Sequence, residues 1–229
     1  MLLRMRSLTE AMRGLLYYTA GQVDRGDIGD AAAKARAEVL VPMLKAWATD
    51  TGIEVASLGI QVHGGMGFVE ETGAAQHFRD ARIAPIYEGT NGIQAADLVT
   101  RKLGLENGEV LQALFADIAR DAGEEAQLQA LAGECAAIAK WMREDASLDD
   151  RLAGSVPFTT MCAVAVAGWC LTKQHAALTE SDDTQRAHAK KVTMRFILDH
   201  IVPEAIGLKA SATAGAALLY ELDGSVLAA

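Results

Sequence analysis

Apolar side chains recur at steps of three and four along most of the chain, and no segment alternates convincingly with a period of two. That spacing predicts helices and no strands. Over residues 2–20, Met5, Leu8, Met12, Leu15 and Thr19 fall on one face of an amphipathic helix. The polar, glycine-bearing stretch 21–30 predicts a loop. A second, longer helix is expected from about Asp30 to Val62, with Leu40, Met43, Leu44, Trp47, Val55, Leu58 and Val62 as its apolar stripe. Ala48, Gly52, Ala56 and Gly59 form another stripe, small enough for a neighbouring helix to come close. Gly64, Gly65 and Gly67 end the helix and let the chain turn. Short helices are expected over 70–82 and 90–103. The turn-rich run Gly104-Leu105-Glu106-Asn107-Gly108-Glu109 then divides the chain.

Beyond that break the pattern stays helical. Val110, Leu111, Leu114, Phe115 and Ile118 define one stripe, and Leu128, Leu131, Cys135, Ile138 and Met142 the next. Residues 156–179 read as an apolar central helix with Pro157 in its first turn. Asp183 or Thr184 can cap a final long helix carrying Val192, Phe196 and Ile197. Pro203 and Gly207 are expected to interrupt it before a last helix ending near Leu222. The fold class is all-α: a helical bundle over 1–104, followed by a second over 105–229.

Composition narrows the function classes. A chain of 229 residues and 24.2 kDa has room for one large domain or two small ones. A net charge of −9, a pI near 5.0 and the lack of any basic run argue against a nucleic-acid surface. Cys135, Cys162 and Cys170 lack Cys-x-x-Cys spacing, which indicates neither a zinc site nor a disulfide framework and points to a reducing, cytoplasmic compartment. Arg4, Arg6, Glu10 and Arg13 interrupt the N-terminal apolar residues, unlike a signal peptide. The longest apolar run, 156–171, falls short of the roughly 20 residues of a membrane span and contains Thr159 and Thr160. It reads as a buried bundle helix.

The candidate chemistry centres on Glu88-Gly89-Thr90. Pro85 breaks any helix arriving from Arg79, so this triplet sits where the next helix begins. A carboxylate there, beside a glycine that admits a ligand to the backbone, can serve as a positioned base. It can equally complement the helix dipole. His63 and His77 invite a metal or acid–base reading. Gly67, four residues past His63, cannot ligate, and His77 has only Asp80 three residues on. A solvated or internally satisfied imidazole is the plainer account of each, and no metal site is expected. Arg79, Asp80 and Arg82 can steady the segment before Glu88, and Met66 and Phe68 can line a site or simply pack, packing being the plainer account.

The run Arg79-Asp80-Ala81-Arg82-Ile83-Ala84-Pro85-Ile86-Tyr87-Glu88-Gly89-Thr90-Asn91-Gly92-Ile93-Gln94, downstream of Gln61-Val62-His63-Gly64-Gly65-Met66-Gly67-Phe68, resembles the C-terminal helical domain of the acyl-CoA dehydrogenase family. The resemblance covers residues 1–104. The stretch after Leu105 is similar to the extension of a longer subgroup, which includes enzymes acting on short or methylthio-substituted acyl-CoA thioesters. What the resemblance implies is specific. Glu88 would remove the α-proton of the acyl thioester while the β-hydrogen leaves as hydride to the flavin of FAD, giving a trans-2-enoyl-CoA. The Glu88 backbone N–H would bind the thioester carbonyl and Thr90 would touch the flavin. Gln61, Gly64 and Gly65 would reach the ADP half of FAD held by a neighbouring subunit. Gly92 stands where many relatives have glutamine.

The chemistry fits those residue types. An α-proton of a thioester is weakly acidic, so its base gains from desolvation and the developing enolate needs hydrogen bonds. Glycines let backbone approach a pyrophosphate. The implied partners are an acyl-CoA substrate, an electron-transfer flavoprotein or similar acceptor, and further copies in a homo-oligomer, with no nucleic acid and no membrane. In the family an N-terminal helical domain and a middle β-domain precede this region. The resemblance therefore implies the back portion of a longer enzyme that does not turn over alone. The rival reading is a helical assembly module that keeps the bundle but binds no flavin. A DNA-associated relative of the same fold is disfavoured by the acidic charge.

Overall fold

The computed structural model describes residues 1–178 and 184–227, and among these it contains helices and turns but no strand. The helices are α1 (Leu2–Asp27), α2 (Ala31–His63), α3 (Gly65–Phe68), α4 (Ala74–Ala81), α5 (Asn91–Asp97), α6 (Glu109–Asp121) and α7 (Ala126–Glu144). They continue with α8 (Leu148–Ala153), α9 (Ser155–Ala176), α10 (Thr184–Phe196), α11 (Val202–Ile206), α12 (Lys209–Ala212) and α13 (Gly224–Leu227).

The centre is α9. Every residue over 161–171 is buried, and the helix is apolar all round, which requires neighbours on every side. Those neighbours are α1, α2, α5, α7 and α10. By length and composition α9 could cross a membrane, but it is enclosed by the other helices. The stripes over 110–118 and 128–142 are buried as their spacing predicts, on α6 and α7. One apolar cluster runs from Leu8 and Leu40 through Phe115, Leu131 and Phe158 to Leu198. Ion pairs fasten the helices around it: Arg4 reaches Glu54 at 2.6 Å and Glu204 at 2.7 Å, and Arg36 reaches Asp117 at 2.7 Å.

Three expectations about boundaries are corrected. The predicted loop at 21–30 is helical as far as Asp27. Glycine costs about 1 kcal/mol in a helix interior, but α1 packs lengthwise on α2 and buries Thr19 and Gln22, so tertiary contact overrides the local preference. The turn is then tied by Asp30, which accepts from the Ala33 N–H at 2.9 Å as the cap of α2 and pairs with Arg25 at 2.6 Å. Pro203 does not interrupt the helix that precedes it. A wide, π-type turn over Ile197–Ile201 absorbs the missing N–H, and the chain stays helical through Ile206. No long helix then ends near Leu222; only single turns follow, with Gly215 at φ +78° between them.

The expected break after Gly104 is a tight turn in which Glu106, Asn107 and Gly108 all have positive φ. Helix α8, which the apolar spacing does not announce, is started by a reciprocal cap in which Ser147 accepts from the Asp150 N–H and Asp150 from the Ser147 N–H. Asp183, a candidate cap, lies outside the described residues, as does position 179 at the expected end of α9. For function the important element is α2, whose middle contacts the turn that bears one candidate site and whose C-terminal end bears another.

Candidate functional site

Between α4 and α5 the chain forms a compact turn. Tyr87 N–H donates to the Ile83 carbonyl at 3.1 Å, and Asn91 N–H reaches back to the Pro85 carbonyl at 3.0 Å. Pro85 is buried beneath. This closure drives Glu88 and Gly89 into the left-handed region, with φ of +57° and +85°. For a non-glycine residue that conformation costs about 1–2 kcal/mol, and it persists only where the surroundings impose it. Thr90 then caps α5, its Oγ1 accepting from the Ile93 N–H at 3.3 Å. Glu88 therefore stands just ahead of the helix rather than in its first turn.

The surroundings that impose this conformation come from α2. Lys45 Nζ donates to the Ala84 carbonyl at 3.0 Å, to the Gly89 carbonyl at 2.7 Å and to Asn91 Oδ1 at 3.3 Å. The same ammonium lies 5.9 Å from the centre of the Tyr87 ring. Asn91 Nδ2 in turn donates to the Ala46 carbonyl and to Thr49 Oγ1, each at 2.9 Å. Sequence reasoning missed these residues. Their partners lie 39 to 46 positions away, and most are backbone carbonyls that leave no mark on residue type.

Glu88 is exposed and lines none of the principal grooves. The N–H groups of Glu88, Gly89 and Thr90 meet no acceptor among the described residues. Tyr87 and Ile93, beside them in sequence, are 54% and 62% exposed. The turn thus presents a carboxylate and free backbone donors among uncovered apolar side chains.

The second cluster ends α2. Gly64 caps the helix at φ +61°. Gln61, Gly64 and Gly65 are exposed, and a Cβ on Gly65 would meet nothing within 4 Å, so packing does not account for that glycine. Gly67 differs. It is buried, and a Cβ there would fall 2.2 Å from the Ile60 carbonyl oxygen, so this glycine serves the fold. Thr72 Oγ1 holds the hairpin by donating to the Met66 carbonyl at 2.6 Å. A group approaching from outside meets no side chain at Gly64 or Gly65, which leaves room for a phosphate-bearing group, although the Gly64 N–H is already given to the Gln61 carbonyl at 3.1 Å.

The structure does not bring the two clusters together within one chain. The rise along α2 from Lys45 to Gln61 is about 24 Å. Of the remaining candidates, the His63 ring pairs with the Gly59 carbonyl through Nδ1 at 2.7 Å, and Arg79 pairs with Glu70 at 3.3 Å rather than steadying Glu88. Phe68 and Met66 do not pack, being 81% and 60% exposed.

Comparison with known proteins places this geometry in context. Residues 1–103 match the family model of the acyl-CoA dehydrogenase C-terminal domain, and residues 110–223 match that of the acetyl-CoA dehydrogenase C-terminal-like domain. A 3-methylmercaptopropionyl-CoA dehydrogenase of Ruegeria pomeroyi is 40% identical, over 89% of this chain and 38% of its own length. The chain therefore spans under half of that curated relative. Among solved structures, an acyl-CoA dehydrogenase complexed with FAD from Bacillus anthracis superposes with a TM-score of 0.75 at 17% identity, covering 99% of this chain and 43% of its own. Caenorhabditis elegans ACDH-11 in complex with C11-CoA superposes with a TM-score of 0.67 at 19% identity, covering 86% of this chain and 35% of its own. At those identities the superpositions speak for the fold.

Proposed function

Because the chain belongs to the acyl-CoA dehydrogenase family, as its C-terminal helical part, we propose that Glu88 is the base of an FAD-dependent α,β-dehydrogenation of an acyl-CoA thioester to a trans-2-enoyl-CoA. The observation that carries this reading is the Glu88–Gly89 turn. Backbone strain at a carboxylate that makes no bond among the described residues points to a task outside the fold. In this reading the substrate lies against the turn with its α-carbon at the Glu88 carboxylate. The free Glu88 N–H donates to the thioester oxygen, so the charge developing there meets a fixed dipole. Thr90 would face the flavin, and FAD, when bound, would take up the β-hydrogen as hydride.

Glu88 is solvated in this chain, and a base for so weak an acid needs a drier site. Parts of the complete subunit outside these residues supply that cover, and the activity belongs to the complete subunit. Gln61, Gly64 and Gly65 lie too far along α2 to share one reactive centre with Glu88, so they serve the cofactor of a neighbouring copy in a homo-oligomer. Residues 1–104 carry the site and residues 105–229 form a helical extension that buttresses it. An electron-transfer flavoprotein or a similar acceptor reoxidises the enzyme.

The test is the native subunit that carries this chain. A yellow preparation, absorbing near about 450 nm as oxidised flavin does, should bleach anaerobically with butyryl-CoA or 3-methylmercaptopropionyl-CoA. A colourless preparation that assembles normally would identify a non-catalytic helical module instead.

A further inference from the structure

We infer that Lys45 is a positioning residue for the base: it clamps the turn that carries Glu88 and so sets where the carboxylate and the neighbouring N–H groups meet the substrate. The inference rests on the reading of Glu88 given above. An ammonium has three N–H donors, and all three of this one are used on a single target. Two go to the carbonyls of Ala84 and Gly89, which lie on either side of Glu88, and the third goes to Asn91 just beyond. The turn between those carbonyls holds the strained Glu88, whose side chain meets no hydrogen-bond or ion-pair partner among the described residues.

A purely structural role for Lys45 would be to dock α5 on α2, but Asn91 already does that through the Ala46 carbonyl and Thr49. Removing the Lys45 ammonium therefore releases the turn while leaving α5 anchored. A freed Glu88 can relax out of the left-handed region, and its carboxylate then swings away from the reacting carbon. Misplacement by about 1 Å can cost on the order of 10²-fold in rate. Lysine suits three converging acceptors, whereas the planar guanidinium of arginine can reach only some of them.

The test compares Lys45→Met, Lys45→Arg and Glu88→Gln in the native subunit, with Lys102→Met, a change at the ion pair to Glu38, as control. Lys45→Met should lower kcat about 10- to 100-fold, with flavin content and KM held within roughly twofold. Arginine should recover part of the loss, and Lys102→Met should leave kcat unchanged. Amide exchange in the 229-residue chain gives a readout independent of activity. The Tyr87 and Asn91 amides, bonded within the turn, should exchange at least about tenfold faster in Lys45→Met, while α2 and α9 are unchanged. An unaltered kcat would overturn the inference. So would a loss accompanied by faster exchange throughout α2 and α5 and no recovery with arginine. If Glu88→Gln abolishes α-proton exchange while Lys45→Met does not slow it, only this inference fails; if Glu88→Gln keeps exchange, the base assignment fails with it.

Discussion

Glu88 and Gly89 occupy the left-handed backbone region one after the other, at φ +57° and +85°, although only the second is a residue that does so freely. Among the described residues the first makes no side-chain bond that would offset the conformation. Replacing it with glycine should therefore raise stability by about 0.5–1 kcal/mol while removing the base. Chemical denaturation of Glu88→Gly checks this. A lower midpoint would mean that the Glu88 side chain supports the fold.

The two glycines of the hairpin should behave oppositely. Gly65→Ala enters open space and should change stability by no more than about 0.5 kcal/mol, yet it should weaken flavin retention in the native assembly. Gly67→Ala drives a methyl against the Ile60 carbonyl and should cost about 1–3 kcal/mol. Thermal melts and flavin content, measured on both variants, separate the roles. Equal effects on both readouts would contradict the assignment.

Acid should unfold the chain by releasing paired carboxylates. Burial pushes the Glu10 carboxyl up, but Lys190 at 2.8 Å and Arg6 at 3.1 Å outweigh it and hold it below the ordinary range. Burial acts likewise on Asp117 and is outweighed by Arg36 and Arg120. A depressed folded value stabilises fully above the unfolded value and is lost as pH falls through the folded one. The melting temperature should hold between about pH 5 and 7 and fall below about pH 4. Glu10→Gln should lower it near pH 7 and much less near pH 3; equal loss at both would contradict the pairing.

Cys135, Cys162 and Cys170 are buried and unpaired, and burial pushes the Cys170 thiol up to about 12. Since the thiolate is the reactive form, none of the three should be alkylated in the native chain and all should be in denaturant. Mass spectrometry after iodoacetamide reads this directly. Rapid native labelling of Cys170 would show that α9 opens where the structure closes it.

Much of the fold was legible because apolar spacing names the buried face of a helix directly, as the fully buried stripe from Val110 to Ile118 illustrates. What failed at 21–30 failed for a physical reason: Gly21 and Gly26 read as breakers, while the contact with α2 that keeps α1 helical lies elsewhere in the chain. The reciprocal cap at Ser147 and Asp150 was written in the sequence but hidden behind a stripe too short to notice. At the site, Glu88, Thr90 and the hairpin glycines stand out by motif. Their supports do not, because Lys45 among Leu44, Ala46 and Trp47 looks like a solvated interruption of an apolar stripe. The left-handed Glu88 was equally invisible, since glutamate has no preference for it.

The most direct measurement of the central claim is exchange of the thioester α-proton with solvent deuterium, in the native subunit carrying this chain, for wild type and Glu88→Gln. If Glu88 is the base, the substitution should slow exchange by at least about a hundredfold with flavin still bound. Exchange at the wild-type rate in a fully flavinated Glu88→Gln enzyme would contradict it.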